Sequence, residues 1–134
     1  MLAQQNKYLE TKVQTSNPEQ LLIMLFDGAI RFCKLAVEGI QQKKFSQAHE
    51  NIIKVQDIIA EFVITLKKDS GIAEPLLRLY DYFLHRLTEA NLKKEAGPVE
   101  EVMKHLTDLK ETWVQAALAI RQQTKPVTPT GKHA

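Results

Sequence analysis

The chain has 134 residues, of which 44% are hydrophobic and 25% are charged, values typical of one globular domain that buries its own core. Its formal net charge is only +2, and no basic stripe is interleaved with aromatic residues, so the composition argues against a nucleic-acid-binding protein. Cys33 is the single cysteine. An internal disulfide is therefore excluded, and the apolar neighbours of Cys33 predict a buried thiol.

Targeting signals are not evident in the chain. The first residues contain no apolar block of signal-peptide length, and the longest apolar run, at residues 21–26, is too short to span a bilayer. We therefore expect a cytosolic protein that does not insert into membranes. We also expect one helical domain at residues 1–123, with a mobile N-terminal segment at 1–16 and a disordered tail at 124–134.

Four segments repeat apolar residues at spacings of three and four, and none shows the alternation typical of a β-strand. The first predicted helix begins after Asn17, where Pro18 and Gln20 complete a capping-box signature, and it ends near residue 42. The second covers residues 45–67. The third covers residues 72–95, with Pro75 tolerated in its first turn. Gly97 separates it from the fourth helix, at residues 98–123.

Helices of about 22 residues are about 33 Å long, and such short connections require neighbouring helices to be antiparallel. The predicted fold class is therefore all-α, an antiparallel up-down-up-down four-helix bundle with an extra N-terminal segment packed across it. The predicted core positions are Leu22, Leu25, Ala29, Phe32, Ala36 and Ile40 in the first helix, Phe45, Ala48, Ile52, Val55, Ile59, Phe62 and Leu66 in the second, Leu76, Tyr80, Phe83, Leu87 and Ala90 in the third, and Val99, Val102, Leu106, Leu109, Trp113, Ala116 and Ile120 in the fourth.

The helices carry more apolar residues than one core stripe requires. The run at residues 21–26 surrounds its helix on all sides, because successive side chains are about 100° apart. The other surplus positions are Ile30, Val37, Ile53, Ala60, Ile64, Leu77, Tyr82 and Leu84. Either the core is unusually large, or this surface is covered by the N-terminal segment with its Leu2, Tyr8, Leu9 and Val13, by a second copy of the chain, or by a partner helix.

The sequence contains no recognisable catalytic or metal-binding motif. No histidine has a glutamate three residues before it, as a di-metal bundle site requires, and neither a Gly-rich phosphate loop nor an HExxH run occurs. We therefore predict a non-catalytic protein without a cofactor or a metal.

Four stretches together resemble the FliS family of flagellin export chaperones. Residues 8–32 (YLETKVQTSNPEQLLIMLFDGAIRF) are similar to its N-terminal hallmark, although Phe26 stands where tyrosine is usual and Asn17 where serine is usual. Residues 54–62 (KVQDIIAEF), 79–91 (LYDYFLHRLTEAN) and 109–116 (LKETWVQA) are similar to the second, third and fourth helix signatures, in the same order. Each motif is short, so the specificity of the resemblance comes from all four occurring together.

The resemblance implies a cytosolic chaperone that binds the disordered C-terminal segment of flagellin, prevents premature polymerisation and assists export by the flagellar type III system. The export gate and a second regulatory protein are further candidate partners. The N-terminal segment would act as a pseudo-ligand that leaves when flagellin binds. The candidate flagellin-binding residues are Tyr8, Val13, Ile52, Gln56, Ile59, Val63, Tyr82, Arg86 and Asn91.

Structural roles compete with binding at several of these positions. Arg86 could pair with Glu89 or Asp81, and Trp113 is predicted to be a core residue. The alternative to a flagellin chaperone is a generic helical adaptor or a homodimer that buries the surplus apolar surface in its own interface. We also predict that Gly28 and Gly39 allow close approach of a neighbouring helix.

Overall fold

The computed structural model describes residues 17–124 of the chain. It contains helices α1 (Pro18–Gln41), α2 (Phe45–Thr65), α3 (Ala73–Lys93) and α4 (Gly97–Thr124), and no strand occurs within this range. Helix α1 packs against α2 and α4, and α3 packs against the same two helices. The all-α four-helix bundle is thus confirmed. The predicted N-terminal segment and nearly all of the predicted tail lie outside the described residues.

The start of α1 has the predicted capping box. The backbone amide of Gln20 donates a 2.8 Å hydrogen bond to Asn17 Oδ1, and the backbone amide of Asn17 donates a 3.4 Å bond to Gln20 Oε1. Each bond satisfies an amide that has no partner within the helix. The ends of α2, α3 and α4 differ from the predicted bounds by at most two residues. For example, α2 ends at Thr65, and Leu66 is in an extended conformation.

Aromatic rings connect the first three helices through the centre of the bundle. The ring centroids of Phe26 and Phe62 are 4.7 Å apart, those of Phe62 and Tyr80 are 5.6 Å apart, and those of Tyr80 and Phe83 are 6.3 Å apart. The His105 ring of α4 extends the series, 5.7 Å from Phe83. Such contacts stabilise the core beyond the area that they bury.

The turns at residues 42–44 and 94–96 close one end of the bundle tightly. Lys43 and Lys94 adopt positive φ angles of 59° and 57°, so each turn reverses the chain within a few residues. A Cβ atom on Gly39 would lie 3.1 Å from the backbone nitrogen of Ala48, which confirms that this glycine permits close helix packing. Gly28 does not have this role, because its nearest neighbour would be Ile58 Cδ1 at 3.6 Å.

Three predictions about burial are wrong. Phe45 and Ile120, predicted to be core residues, are 37% and 52% exposed; Phe45 is the first residue of α2, and Ile120 lies near the end of α4. Val37, predicted to be surplus, is only 8% exposed and belongs to the core. The surplus interpretation does hold for Ile53, which is 37% exposed, and for Ile64, which is 73% exposed. No helix within residues 17–124 has an apolar stretch long enough to cross a membrane.

Candidate functional site: a cavity at one end of the bundle

A cavity of about 870 Å³ opens at the end of the bundle opposite the two tight turns. It brings together the start of α1, the end of α2, the connection at residues 66–72 and the end of α4, as an antiparallel bundle requires. The lining residues are Pro18, Glu19, Leu21, Leu22, Ile23, Leu25, Glu61, Phe62, Thr65, Leu66, Lys67, Ser70, Ile72, Tyr80, Trp113, Ala116, Ala117 and Ile120.

The surplus apolar residues of α1 explain how the cavity forms. Phe26 points into the core and is fully buried, whereas Leu21, Leu22 and Ile23 line the cavity and are only partly buried. The facing part of α4 contributes small side chains, including Ala116, so the helices do not fill the space between them. The run that encircles α1 therefore supplies both core and cavity wall.

The chemistry of the cavity suits an apolar occupant. Its wall is mainly aliphatic and aromatic, while the charged side chains of Glu19, Glu61 and Lys67 are exposed. Within residues 17–124, no group of histidine, cysteine, aspartate and glutamate side chains could hold a metal ion. Burial raises the pKa of Cys33 to about 12, which keeps this thiol protonated and unreactive. The arrangement can bind an apolar segment through buried area.

The predicted binding residues lie elsewhere, and two of them share the face between α2 and α3. Gln56 Nε2 donates a 3.1 Å hydrogen bond to Thr88 Oγ1, and Asn91 Nδ2 lies 2.8 Å from His49 Nδ1. Both pairs join α2 to α3. They place polar side chains along this face.

Three apolar members of the predicted set contribute less exposed surface to that face. Ile52 and Ile59 are 1% and 0% exposed, so their side chains lie in the core beneath it. Val63 is partly buried and packs against the core. Tyr8 and Val13 lie outside the described residues.

Tyr82 and Arg86 face α4 instead of α2. The Tyr82 hydroxyl donates a 2.7 Å hydrogen bond to Glu101 Oε2, and Arg86 Nε donates one of 2.7 Å to Glu101 Oε1. Arg86 also pairs with Glu89 at 2.8 Å, as one structural alternative predicted, and not with Asp81. The hydrogen bonds from Tyr82 and Arg86 lower the pKa of Glu101, and those from Arg86 and Lys93 lower the pKa of Glu89.

Sequence reasoning placed the site on α2, α3 and the N-terminal segment and did not identify the cavity. The unbroken apolar run of α1 was the available signal, together with adjacent alanines at 116 and 117 and the nearby Trp113. Periodicity could not show that these positions meet, because their proximity depends on how α1, α2 and α4 cross. Trp113, predicted to be a core residue, is partly buried and lines the cavity.

Comparisons with known proteins agree with the resemblance. The sequence profile of the family described as flagellar protein FliS matches residues 1–120. The flagellar secretion chaperone FliS of Bacillus subtilis is 34% identical over 115 residues, which cover 86% of each chain. The protein of the same name from Salmonella typhimurium is 34% identical over 110 residues, covering 80% of this chain and 82% of its own. That of Escherichia coli is 27% identical over 114 residues, covering 83% and 84%.

Proposed function

The chain belongs to the FliS family of flagellar secretion chaperones, which are not enzymes. We therefore propose that it binds the disordered C-terminal segment of flagellin in the cytosol. By covering that segment it prevents premature polymerisation, and it then presents flagellin to the export gate of the flagellar type III system. The observation that carries the proposal is the apolar cavity of about 870 Å³ at the end of the bundle.

The energetics of the cavity support this proposal. Burial of one aliphatic side chain contributes about 1.5–3 kcal/mol. Ordering a disordered segment costs about 2–5 kcal/mol of the gross interaction energy. A few apolar side chains of an amphipathic helix, inserted beside Leu22 and Trp113, therefore outweigh the ordering cost. The exposed charges of Glu19, Glu61 and Lys67 at the cavity keep the chaperone itself hydrated.

The predicted face of α2 and α3 forms a second part of the proposed binding surface. Gln56 and Asn91 each bond across the two helices, and these amides can turn to the backbone of an incoming segment. Ile52, Ile59 and Val63 support the face from within. Tyr82 and Arg86 would bind flagellin at the seam with α4, beside their contacts with Glu101.

We further propose that the N-terminal segment at residues 1–16 competes for the cavity. Its attachment point, Asn17, precedes Pro18 and Glu19, both of which line the cavity. In this proposal Tyr8 and Val13 occupy the space that flagellin later fills. Deletion of residues 1–14 should then tighten flagellin binding, and unchanged affinity would reject the competition.

A filled-cavity variant tests the main proposal. Calorimetry with a flagellin C-terminal peptide should show one-to-one binding with a negative heat-capacity change, and Trp113 fluorescence should change on binding. Ala116→Trp places a large side chain in the cavity and should weaken binding at least about tenfold. Ala119→Trp, on an exposed part of the same helix, is the matched control and should bind normally.

The alternative function makes a different prediction in the same experiments. A generic adaptor or homodimer would not bind the peptide, and sedimentation would show a dimer whose dissociation constant rises when Ile64 is replaced by a polar residue. Ile64 is 73% exposed and is a suitable reporter of such an interface. Equal peptide affinity of Ala116→Trp and the parent protein would also count against the cavity as the flagellin site.

A further inference from the structure

Tyr80 combines burial, proximity to the cavity and a hydroxyl group for which the described residues offer no hydrogen bond. Its side chain lines the cavity and is only 3% exposed. The rings of Phe62 and Phe83 flank it at centroid distances of 5.6 and 6.3 Å. No residue among 17–124 forms a hydrogen bond with its hydroxyl, and burial alone raises its pKa.

A buried hydroxyl without a protein partner is uncommon, because it loses hydration without gaining a hydrogen bond in return. Three of the cavity-lining residues are themselves buried, namely Phe62, Tyr80 and Ala117. Of these, Tyr80 alone carries a polar side-chain atom. Tyr80 is therefore the one hydrogen-bonding group among the buried lining side chains, whereas the hydroxyls of Thr65 and Ser70, nearer the surface, already form hydrogen bonds within the protein.

We propose that Tyr80 determines which segment the cavity accepts, because its hydroxyl forms a hydrogen bond with a neutral polar group of the bound flagellin segment. This inference rests on the proposed function and adds a chemical requirement to it. The segment must carry apolar side chains that fill the cavity and, between them, one serine, threonine, asparagine or glutamine side chain or an unpaired backbone carbonyl.

Two physical arguments define the partner group. A phenol can donate or accept a hydrogen bond, so hydroxyls, amides and carbonyls all satisfy it. A carboxylate or an ammonium would have to give up its hydration beside the rings of Phe62 and Phe83, so a charged partner is disfavoured. A wholly aliphatic segment would fill the volume but leave the hydroxyl unpaired. The contact also fixes the register of the segment, as a single polar residue does in a coiled coil.

Tyr80→Phe removes only the hydroxyl and tests the inference. The free variant should melt at the same temperature as the parent protein or higher, because no internal hydrogen bond is lost. Its affinity for the flagellin C-terminal peptide should fall by about tenfold. Thr107→Val is the control, because its hydroxyl bonds to the Met103 carbonyl of its own helix at 2.8 Å, away from the cavity, and binding should not change.

A double-mutant cycle identifies the partner group. Each serine, threonine, asparagine and glutamine of the peptide is replaced by alanine, and binding is measured to the parent protein and to Tyr80→Phe. One position should weaken binding to the parent protein and have no further effect on the variant. If Tyr80→Phe binds more weakly but no position shows this coupling, the partner is a backbone carbonyl, which also supports the inference.

Two results would overturn the inference while leaving flagellin binding intact. The first is equal peptide affinity of the parent protein and Tyr80→Phe. The second is a clearly lower melting temperature of Tyr80→Phe, which would show that the hydroxyl bonds within the protein. Failure of the parent protein to bind the peptide would instead reject the proposed function, and this inference with it.

Discussion

The two ends of the bundle differ in how completely the helices fill the space between them. At the turn end, which contains residues 42–44 and 94–96, Gly39 meets the Ala48 backbone closely and Val99 and Val102 are fully buried. At the cavity end, the longer connection at residues 66–72 joins α2 to α3, and Ile72 is 52% exposed. The bundle is thus closely packed at one end and keeps an open apolar volume at the other.

The polar contacts between helices are divided less sharply than the packing. Asn91 and His49 join α3 to α2 near the tight turns, whereas Gln56 bonds to Thr88 from the middle of α2. Glu101, near the start of α4, contacts α3, and Lys110 of α4 pairs with Asp27 of α1 at 2.6 Å near the middle of both helices. The division between the two ends therefore lies mainly in how completely apolar side chains fill the bundle.

Leucine-to-alanine substitutions should show the largest difference between the ends. Leu87 is fully buried in α3, so Leu87→Ala should lower the free energy of unfolding by about 2–5 kcal/mol. Leu21 is partly buried in the cavity wall, so Leu21→Ala should lower the free energy of unfolding by less than about 1.5 kcal/mol. Leu21→Ala should weaken peptide binding even so. Urea unfolding measures the stability of both variants. Equal losses of stability would contradict the difference in packing between the two ends.

Glycine substitutions in α1 should give an intermediate effect. Gly39→Ala places a methyl group 3.1 Å from the backbone of Ala48, which cannot move aside as a side chain can, and should destabilise the fold by about 1–3 kcal/mol. Gly28→Ala meets only Ile58 Cδ1 at 3.6 Å and should stabilise α1 by up to about 1 kcal/mol. The melting temperatures of the two variants should therefore shift in opposite directions. A higher melting temperature for Gly39→Ala would show that the helices near the turns have room for the added methyl group.

Acid titration should give the smallest effect. Hydrogen bonds from Tyr82 and Arg86 lower the pKa of Glu101, so its ionised form is favoured in the folded state. The resulting stability is present above the ordinary glutamate pKa of about 4.3 and is lost as the pH falls through the lowered value. Glu101→Gln should reduce the melting temperature at neutral pH by less than Gly39→Ala does, and the difference should disappear in acid.

Glu111→Gln is the control for that titration, because Glu111 is exposed and forms no ion pair within the described part of the chain. Its melting curve should follow that of the parent protein at every pH. A Glu101→Gln curve that stays parallel to the parent curve into acid would show that the contacts of Glu101 do not contribute to stability.

Sequence patterns were informative where a property depends on neighbours along one helix. The capping box at Asn17, the burial of Cys33 and the exposure of Ile64 each follow from local spacing, and each is present in the structure. Phe45 and Ile120 were placed wrongly because periodicity identifies the inward face of a helix but not where neighbouring helices stop covering it. Val37 was assigned to the surplus surface because periodicity within its own helix does not show that a neighbouring helix covers it.

The sequence by itself determined four amphipathic helices, their order and their family, because helical periodicity, capping residues and short turns are local properties. Only the tertiary structure decided that the surplus of α1 becomes one wall of a cavity, that Glu101 joins Tyr82 and Arg86, and that Tyr80 lies at the cavity floor. These depend on which side chains meet when separate helices cross. Packing over the whole bundle sets those distances, and the spacing of residues within a single helix does not.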